Sequence, residues 1–356
     1  MSYETESLRF GPVTNTRGNM GVDKVKVLYI GGWGRSGSTL LDRMLGQVPG
    51  LFSTGELRYI WERGLLENQL CGCGLPFREC SFWGQVGKEA FGGWDEVDVA
   101  GVVGLRNSVD RLWHTPWLLG PAIWPGYGVK LEEYVNLLGR LYKAIRNVSN
   151  AKIIIDSSKA PSYAFILGKA RDIDLRMVHL VRDSRGVAFS WKKQVVRPEV
   201  TYKVAYMPRY NPLTASLRYI LDNGLLCFAN RTPVLSRGAP PYVLVRYEDL
   251  ADQPREMLAR ILSHVGYEVR EDTFSFIDSA TGRVFLGTNH MVAGNPMRFK
   301  SGEIVLRPDV EWQGKMPTSE RFIVTLLTFP LLLAYGYLGR EDGGRLGMVE
   351  FRSRRS

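Results

Sequence analysis

Val25-Lys26-Val27-Leu28-Tyr29-Ile30-Gly31-Gly32-Trp33-Gly34-Arg35-Ser36-Gly37-Ser38-Thr39-Leu40-Leu41 joins a β-prone run to a glycine-rich turn and the start of an apolar helix. A strand that ends in such a turn and passes straight into a helix aims backbone N–H groups at an anion. From Gly32 to Thr39 the residues nearly satisfy the phosphate-loop spacing GxxxxGK[ST], with Ser38 standing where the lysine belongs. That lysine normally reaches the β- and γ-phosphates, so its replacement weakens an ATPase or kinase reading. Gly34, Gly37 and the donors of Arg35, Ser36, Ser38 and Thr39 are the anion-binding candidates, with Arg35 supplying fixed positive charge.

Further along, strand and helix patterns alternate. Leu131 to Val148 carries apolar residues at helical spacing, Lys152 to Asp156 reads as a strand, and a helix is expected near Pro161. Leu175 to Val181 is the next strand, followed by a helix from Arg185, and Tyr242 to Tyr247 is another, followed by a helix near Pro254. The expected class is α/β: a modified P-loop nucleotide-binding fold with a mostly parallel central sheet and long helical or loop insertions. Residues 1–24 read as a flexible leader, 25–340 as one domain, and 341–356 as a basic tail. Within the domain, about 52–125 is an irregular, variable acceptor region, and about 282–317 is a turn-rich cofactor or lid loop.

The chain has 356 residues, of which 45% are hydrophobic, enough for a large core. Its formal charge of +10 favours anionic partners without choosing among nucleotide, nucleic acid and membrane. No specific nucleic-acid module accompanies that charge. The leader lacks a signal-peptide core, and the apolar run Phe322 to Leu338, broken by Thr325, Thr328, Pro330 and Gly336, reads as a packed helix rather than a membrane span. A cytoplasmic protein is expected, with at most weak peripheral membrane contact through the basic tail. Cys71, Cys73 and Cys80 cluster without a positioned fourth ligand, so structural thiols or a local disulfide are expected ahead of a metal. Trp83, Trp94, Trp113, Trp117 and Trp124 read as packing residues before acceptor contacts.

A second basic and hydroxylic arrangement, Val181-Arg182-Asp183-Ser184-Arg185-Gly186-Val187-Ala188-Phe189-Ser190-Trp191, places Arg182 at a strand end and Ser190 on the following helix. Together the two loops suit a nucleotide with phosphates at separated positions. In these residues the chain resembles the sulfotransferases that use 3′-phosphoadenosine 5′-phosphosulfate (PAPS). The resemblance implies that Gly34 to Thr39 hold the 5′-phosphosulfate, that Arg182 and Ser190 hold the 3′-phosphate, and that PAP is the product. Gly294 to Phe299 resembles a late cofactor-contacting loop, which implies a nucleotide contact for Arg298.

Thr54-Gly55-Glu56-Leu57-Arg58 resembles the segment of protein-tyrosine sulfotransferases that carries a glutamate base, and Asp156-Ser157-Ser158-Lys159 resembles an active-site edge of the same enzymes. The resemblance thus implies that Glu56 takes the acceptor proton while Arg35 and Lys159 stabilise the leaving phosphate. His114 and His290 stand as alternative bases; His179 and His264 read as structural. The expected reaction moves a sulfuryl group from PAPS to a hydroxyl of a small molecule or carbohydrate, a protein acceptor ranking lower, with no metal requirement. A P-loop-like kinase or hydrolase would turn over ATP instead, and a non-catalytic binding module would bind the nucleotide without acceptor-dependent transfer.

Overall fold

The structure, a computed structural model, describes residues 24–119, 125–231 and 241–338. Five strands, β1 (Val25–Gly32), β2 (Leu51–Ser53), β3 (Ile153–Lys159), β4 (Ile173–Val181) and β5 (Tyr242–Arg246), form one sheet in the order β2-β3-β1-β4-β5. Every neighbouring pair is parallel. This agrees with the expected α/β class and adds the strand order, which local sequence patterns do not encode.

Burial of both sheet faces explains the nearly unbroken apolar character of β1. Val25, Val27 and Tyr29 enter one apolar cluster, and Leu28 and Ile30 enter another. Helices Ser81–Phe91, Pro125–Ser149 and Pro161–Leu167 contribute to the first; Ser38–Leu45 and Pro254–His264 contribute to the second. Pro161 opens its helix at a position where the missing N–H costs nothing.

The 52–125 region is more regular than its sequence suggests. Its described residues contain a π-helical segment, Ile60–Leu66, and the α-helices Ser81–Phe91, Val99–Val109 and Thr115–Leu119. Their apolar side chains join the core beneath β1, so the segment packs as part of the fold rather than as a surface excursion. The late turn-rich stretch likewise contains most of a small antiparallel sheet: β6 (Ile277–Asp278), β7 (Arg283–Leu286) and β8 (Gly302–Val305).

The late apolar run forms the helix Thr318–Ala334, which buries Val324, Thr328 and Leu332 while Phe322, Leu326, Phe329 and Leu333 are exposed. Among the described residues, no helix is long and apolar enough to cross a membrane. Nearly all of the leader, together with Trp124 and the tail 341–356, lies outside the described residues.

Sheet order fixes the site. From β1 the chain turns one way, to β2, while from its neighbour β4 it turns the other way, to β5. Connections that diverge from adjacent parallel strands leave a crevice at the carboxyl ends of those strands. A cleft of about 650 Å³ occupies this position.

Candidate functional site

The turn after β1 is shaped by close approaches that exclude side chains. A Cβ on Gly34 would lie 2.7 Å from the Trp191 ring, and one on Gly37, whose φ is 90°, would lie 2.5 Å from Tyr247. Arg35 also has positive φ, 69°, a strained setting for a residue with a side chain. Its guanidinium lies 5.0 Å from the centre of the Trp191 ring. Its Nε and Nη2 and the Ser36 hydroxyl are buried without hydrogen-bond partners among the described residues. Burial favours loss of the Arg35 charge, lowering its pKa. Buried donors left unmatched at the mouth of a helix are a costly arrangement that an anion relieves.

Arg182 follows β4 and faces the same cleft from the other side. Its guanidinium donates to the Arg35 carbonyl at 3.1 Å and pairs with Asp309 at 2.9 Å. It also lies 4.9 Å from the Tyr247 ring centre. Ser190 projects to the cleft from the helix Ser184–Lys192. The structure therefore brings both sequence motifs to one cleft.

At the cleft's other end, β3 carries one extra residue against β1: Tyr29 faces Asp156, but Gly31 faces Lys159. This irregularity gives Lys159 a φ of 69° and turns it toward Glu56. Lys159 Nζ donates to Glu56 Oε1 at 2.5 Å and to the Ser157 carbonyl at 3.1 Å. Burial pushes the Glu56 carboxyl up, but the Lys159 and Arg63 charges and the Lys159 hydrogen bond outweigh it and hold the group below the usual carboxylate range. Gly55 permits the approach: its φ is 73°, and a Cβ there would sit 2.6 Å from the Ala293 carbonyl oxygen.

The late loop is tied down from both directions. Glu56 N–H donates to Ala293 at 3.2 Å, Val292 N–H donates to Thr54 at 2.9 Å, and Asn295 N–H donates to Thr39 Oγ1 at 3.2 Å. Arg43 donates to the carbonyls of Gly287, Met297 and Lys300. Gly294, Asn295 and Met297 line the cleft. Arg298 lies behind them, 1% exposed, donating to Met291 at 2.7 Å and Leu70 at 2.9 Å.

The histidines are placed elsewhere. His114 is buried with Nδ1 2.9 Å from the Val109 carbonyl oxygen, and His179 Nε2 lies 3.0 Å from Asn223 Oδ1. His264 Nε2 lies 3.3 Å from the Pro241 carbonyl oxygen. Trp83 and Trp94 are core residues, whereas Trp113 is exposed.

A carboxylate that the sequence reading did not single out does line the cleft. Asp222, on the helix Pro212–Arg231, has its pKa raised to about 7, chiefly by burial against the opposing charges of Arg58 and Arg218. Its only sequence signal is the four-residue spacing from Arg218, which puts both on one helix face.

His290 lies with the cysteines. The expectation of no metal requirement is corrected by this cluster: Cys71, Cys73, Cys80 and His290 bring four ligand atoms within 4.8 Å of one another. The local disulfide is absent as well, since Cys71, Cys73 and Cys80 are not bonded to one another. The fourth ligand was invisible in sequence because it arrives from the late loop, 210 residues beyond Cys80.

No family model and no curated protein matches the chain. Among solved structures it is similar to the sulfotransferase domain of the Synechococcus PCC 7002 olefin synthase, with 20% identity, 89% of this chain and 98% of that chain covered, and a TM-score of 0.46. The sulfotransferase domain from the curacin biosynthetic pathway is 15% identical, with 86% and 97% covered and a TM-score of 0.44. A sulfotransferase from Mycobacterium avium is 12% identical, with 92% and 80% covered and a TM-score of 0.43. Likeness at this level does not say what this chain binds or transfers.

Proposed function

We propose that the protein transfers a sulfuryl group from PAPS to an acceptor hydroxyl, releasing PAP. The observation that carries this reading is the convergence on one cleft of the Arg35–Ser36 loop, with its unmatched buried donors, and the Arg182–Ser190 pair. The sequence resemblance at both motifs supports it further. The glycine turn acts as a phosphate loop for the 5′-phosphosulfate, and Arg182 and Ser190 take the 3′-phosphate. Arg182 must then exchange its Asp309 contact for the nucleotide, while Arg298 supports the loop that covers it.

In the transfer step the acceptor O–H gives its proton to Glu56 as its oxygen bonds to sulfur. The bond from sulfur to the bridging oxygen breaks, and the electron pair stays with the 5′-phosphate. Arg35 and Lys159 stabilise that developing charge. Lys159 is paired with Glu56 in the structure. When Lys159 turns to the bridging oxygen, it frees the carboxylate and raises its basicity as the proton must move. The acceptor is a hydroxyl-bearing small molecule or carbohydrate that enters on the Asp222 side.

Calorimetric titration tests the cofactor assignment. PAP is expected to bind more tightly than its analogue lacking the 3′-phosphate, and Arg182→Ala is expected to erase that preference. Equal affinities in the unaltered protein defeat the two-loop assignment. A screen with radiolabelled PAPS against alcohols, phenols and carbohydrates tests transfer. ATP turnover, transfer only to amines, or nucleotide binding without transfer to any member sinks the hydroxyl-transfer reading.

A further inference from the structure

We propose that Cys71, Cys73, Cys80 and His290 bind one zinc ion in a closed tetrahedral site that pins the 52–125 segment to the late loop. A tetrahedral zinc with bonds of about 2.3 Å to sulfur and about 2.0 Å to nitrogen requires ligand separations of about 3.8 Å between sulfurs and about 3.5 Å between sulfur and nitrogen. Cys73 and Cys80 Sγ are 3.8 Å apart, and His290 Nδ1 lies 3.8 Å from Cys71 Sγ and 3.3 Å from Cys80 Sγ. Three sulfurs and an imidazole suit zinc and are poor ligands for magnesium or calcium. With all four tetrahedral positions filled by side chains, the site leaves none for substrate, as in structural rather than catalytic zinc centres.

The surroundings are built to hold these ligands. The His290 ring stacks on Phe82 with centres 5.0 Å apart, and its carbonyl accepts from Trp83 Nε1 at 2.9 Å. Phe82 and Trp83 lie two and three residues after Cys80, so one helix start supplies a ligand and orients another. Between the first two cysteines a side chain is crowded, because a Cβ on Gly72 would lie 2.9 Å from the Met291 backbone nitrogen and against the Asn289 side chain. Gly72 N–H donates to the Met291 carbonyl at 3.0 Å, joining the two segments beside the cluster.

Arg298 supplies the second, independent observation. Among the described residues it forms no ion pair, and its guanidinium donates to the carbonyls of Leu70 and Met291, which adjoin Cys71 and His290 in the chain. Three thiolates and one Zn²⁺ carry a net charge of −1, which this buried cation compensates. The segment held by His290 also carries Val292 and Ala293, whose backbone groups pair with Thr54 and Glu56. The zinc thereby fixes one wall of the cleft without touching the reacting atoms.

The test reads metal rather than activity. Elemental analysis of the full chain, purified without chelators or metal-affinity resin, should give one zinc per chain. Cobalt(II) reconstitution of zinc-depleted protein should give the visible absorption of a tetrahedral cobalt–thiolate. Cys80→Ser and His290→Ala are expected to lose the metal. His290→Cys should keep it, because four sulfurs also suit zinc, and Cys227→Ser should match the unaltered protein. Less than about a tenth of an equivalent of zinc with four titratable thiols, a disulfide among Cys71, Cys73 and Cys80, a full equivalent of iron instead, or folded His290→Ala retaining full zinc would each overturn the proposal. If the ligand variants do not fold, zinc content and the cobalt spectrum of the unaltered chain decide it.

Discussion

At the residue scale, two of the carboxylates that line the cleft, Glu56 and Asp222, divide by environment. Glu56 sits low because Lys159 and Arg63 offset its burial, whereas Asp222 is pushed up to about 7. Under the proposed division of labour, Glu56→Gln slows single-turnover transfer by roughly 10²–10⁴-fold with donor still bound, and Asp222→Asn leaves the chemical step near its starting rate. A silent Glu56→Gln with a crippled Asp222→Asn would move proton abstraction to Asp222. The pH profile carries a sign of its own. Glu56 accepts a proton only when ionised, so the acid limb in the unliganded enzyme lies below the usual carboxylate range. Lys159→Met removes the charge that holds it there, and the limb should move toward neutral pH. Glu56 and Lys159 were legible because each sits in a short motif; Asp222 was not, because nothing local separates it from an ordinary helix-surface acid.

At the element scale, the strand–turn–helix unit was legible from Val25 onward because its hydrophobic run and glycines are local signals. The helices of the 52–125 region were not, because Ser81–Phe91 and Val99–Val109 mix glycine and polar residues into their packed faces and follow a cysteine–glycine turn. The bracing of Thr54–Glu56 by the late loop is also non-local, and it makes Gly55 a sensitive point. Gly55→Ala puts a side chain at φ 73° against a backbone oxygen. It is expected to cost about 1–3 kcal/mol in urea unfolding and to slow transfer by displacing Glu56. Unchanged stability and rate would mean that this pairing does not position the carboxylate.

At the scale of the whole molecule, the core contains acids, Asp42 and Asp156, whose burial no local pattern announces. Asp42 accepts hydrogen bonds from Ser53 and Ser157, both at 2.5 Å, joining the first helix to β2 and β3. Burial raises Asp42 to about 7 and Asp156 to about 6, each against the hydrogen bonds it accepts. The folded chain therefore binds more protons than the unfolded chain from about pH 4 up to these values. Their contribution to stability is fully present below the unfolded carboxyl pKa and is lost as pH rises through about 6 to 7. Asp42→Asn should flatten that decline in thermal unfolding, and an unaltered slope would show that Asp42 is ionised throughout. Strand order and the Cys–His cluster were illegible for one reason: both are long-range pairings, and spacing along a chain records only neighbours. The long reach from Cys80 to His290 also bears on how the protein is made. The sheet's five strands are all synthesised by residue 246, before the Val292–Ala293 backbone that braces Glu56. A chain made from its N-terminus completes the strands of the central sheet before the site, and until His290 follows, three thiols stand without their fourth partner.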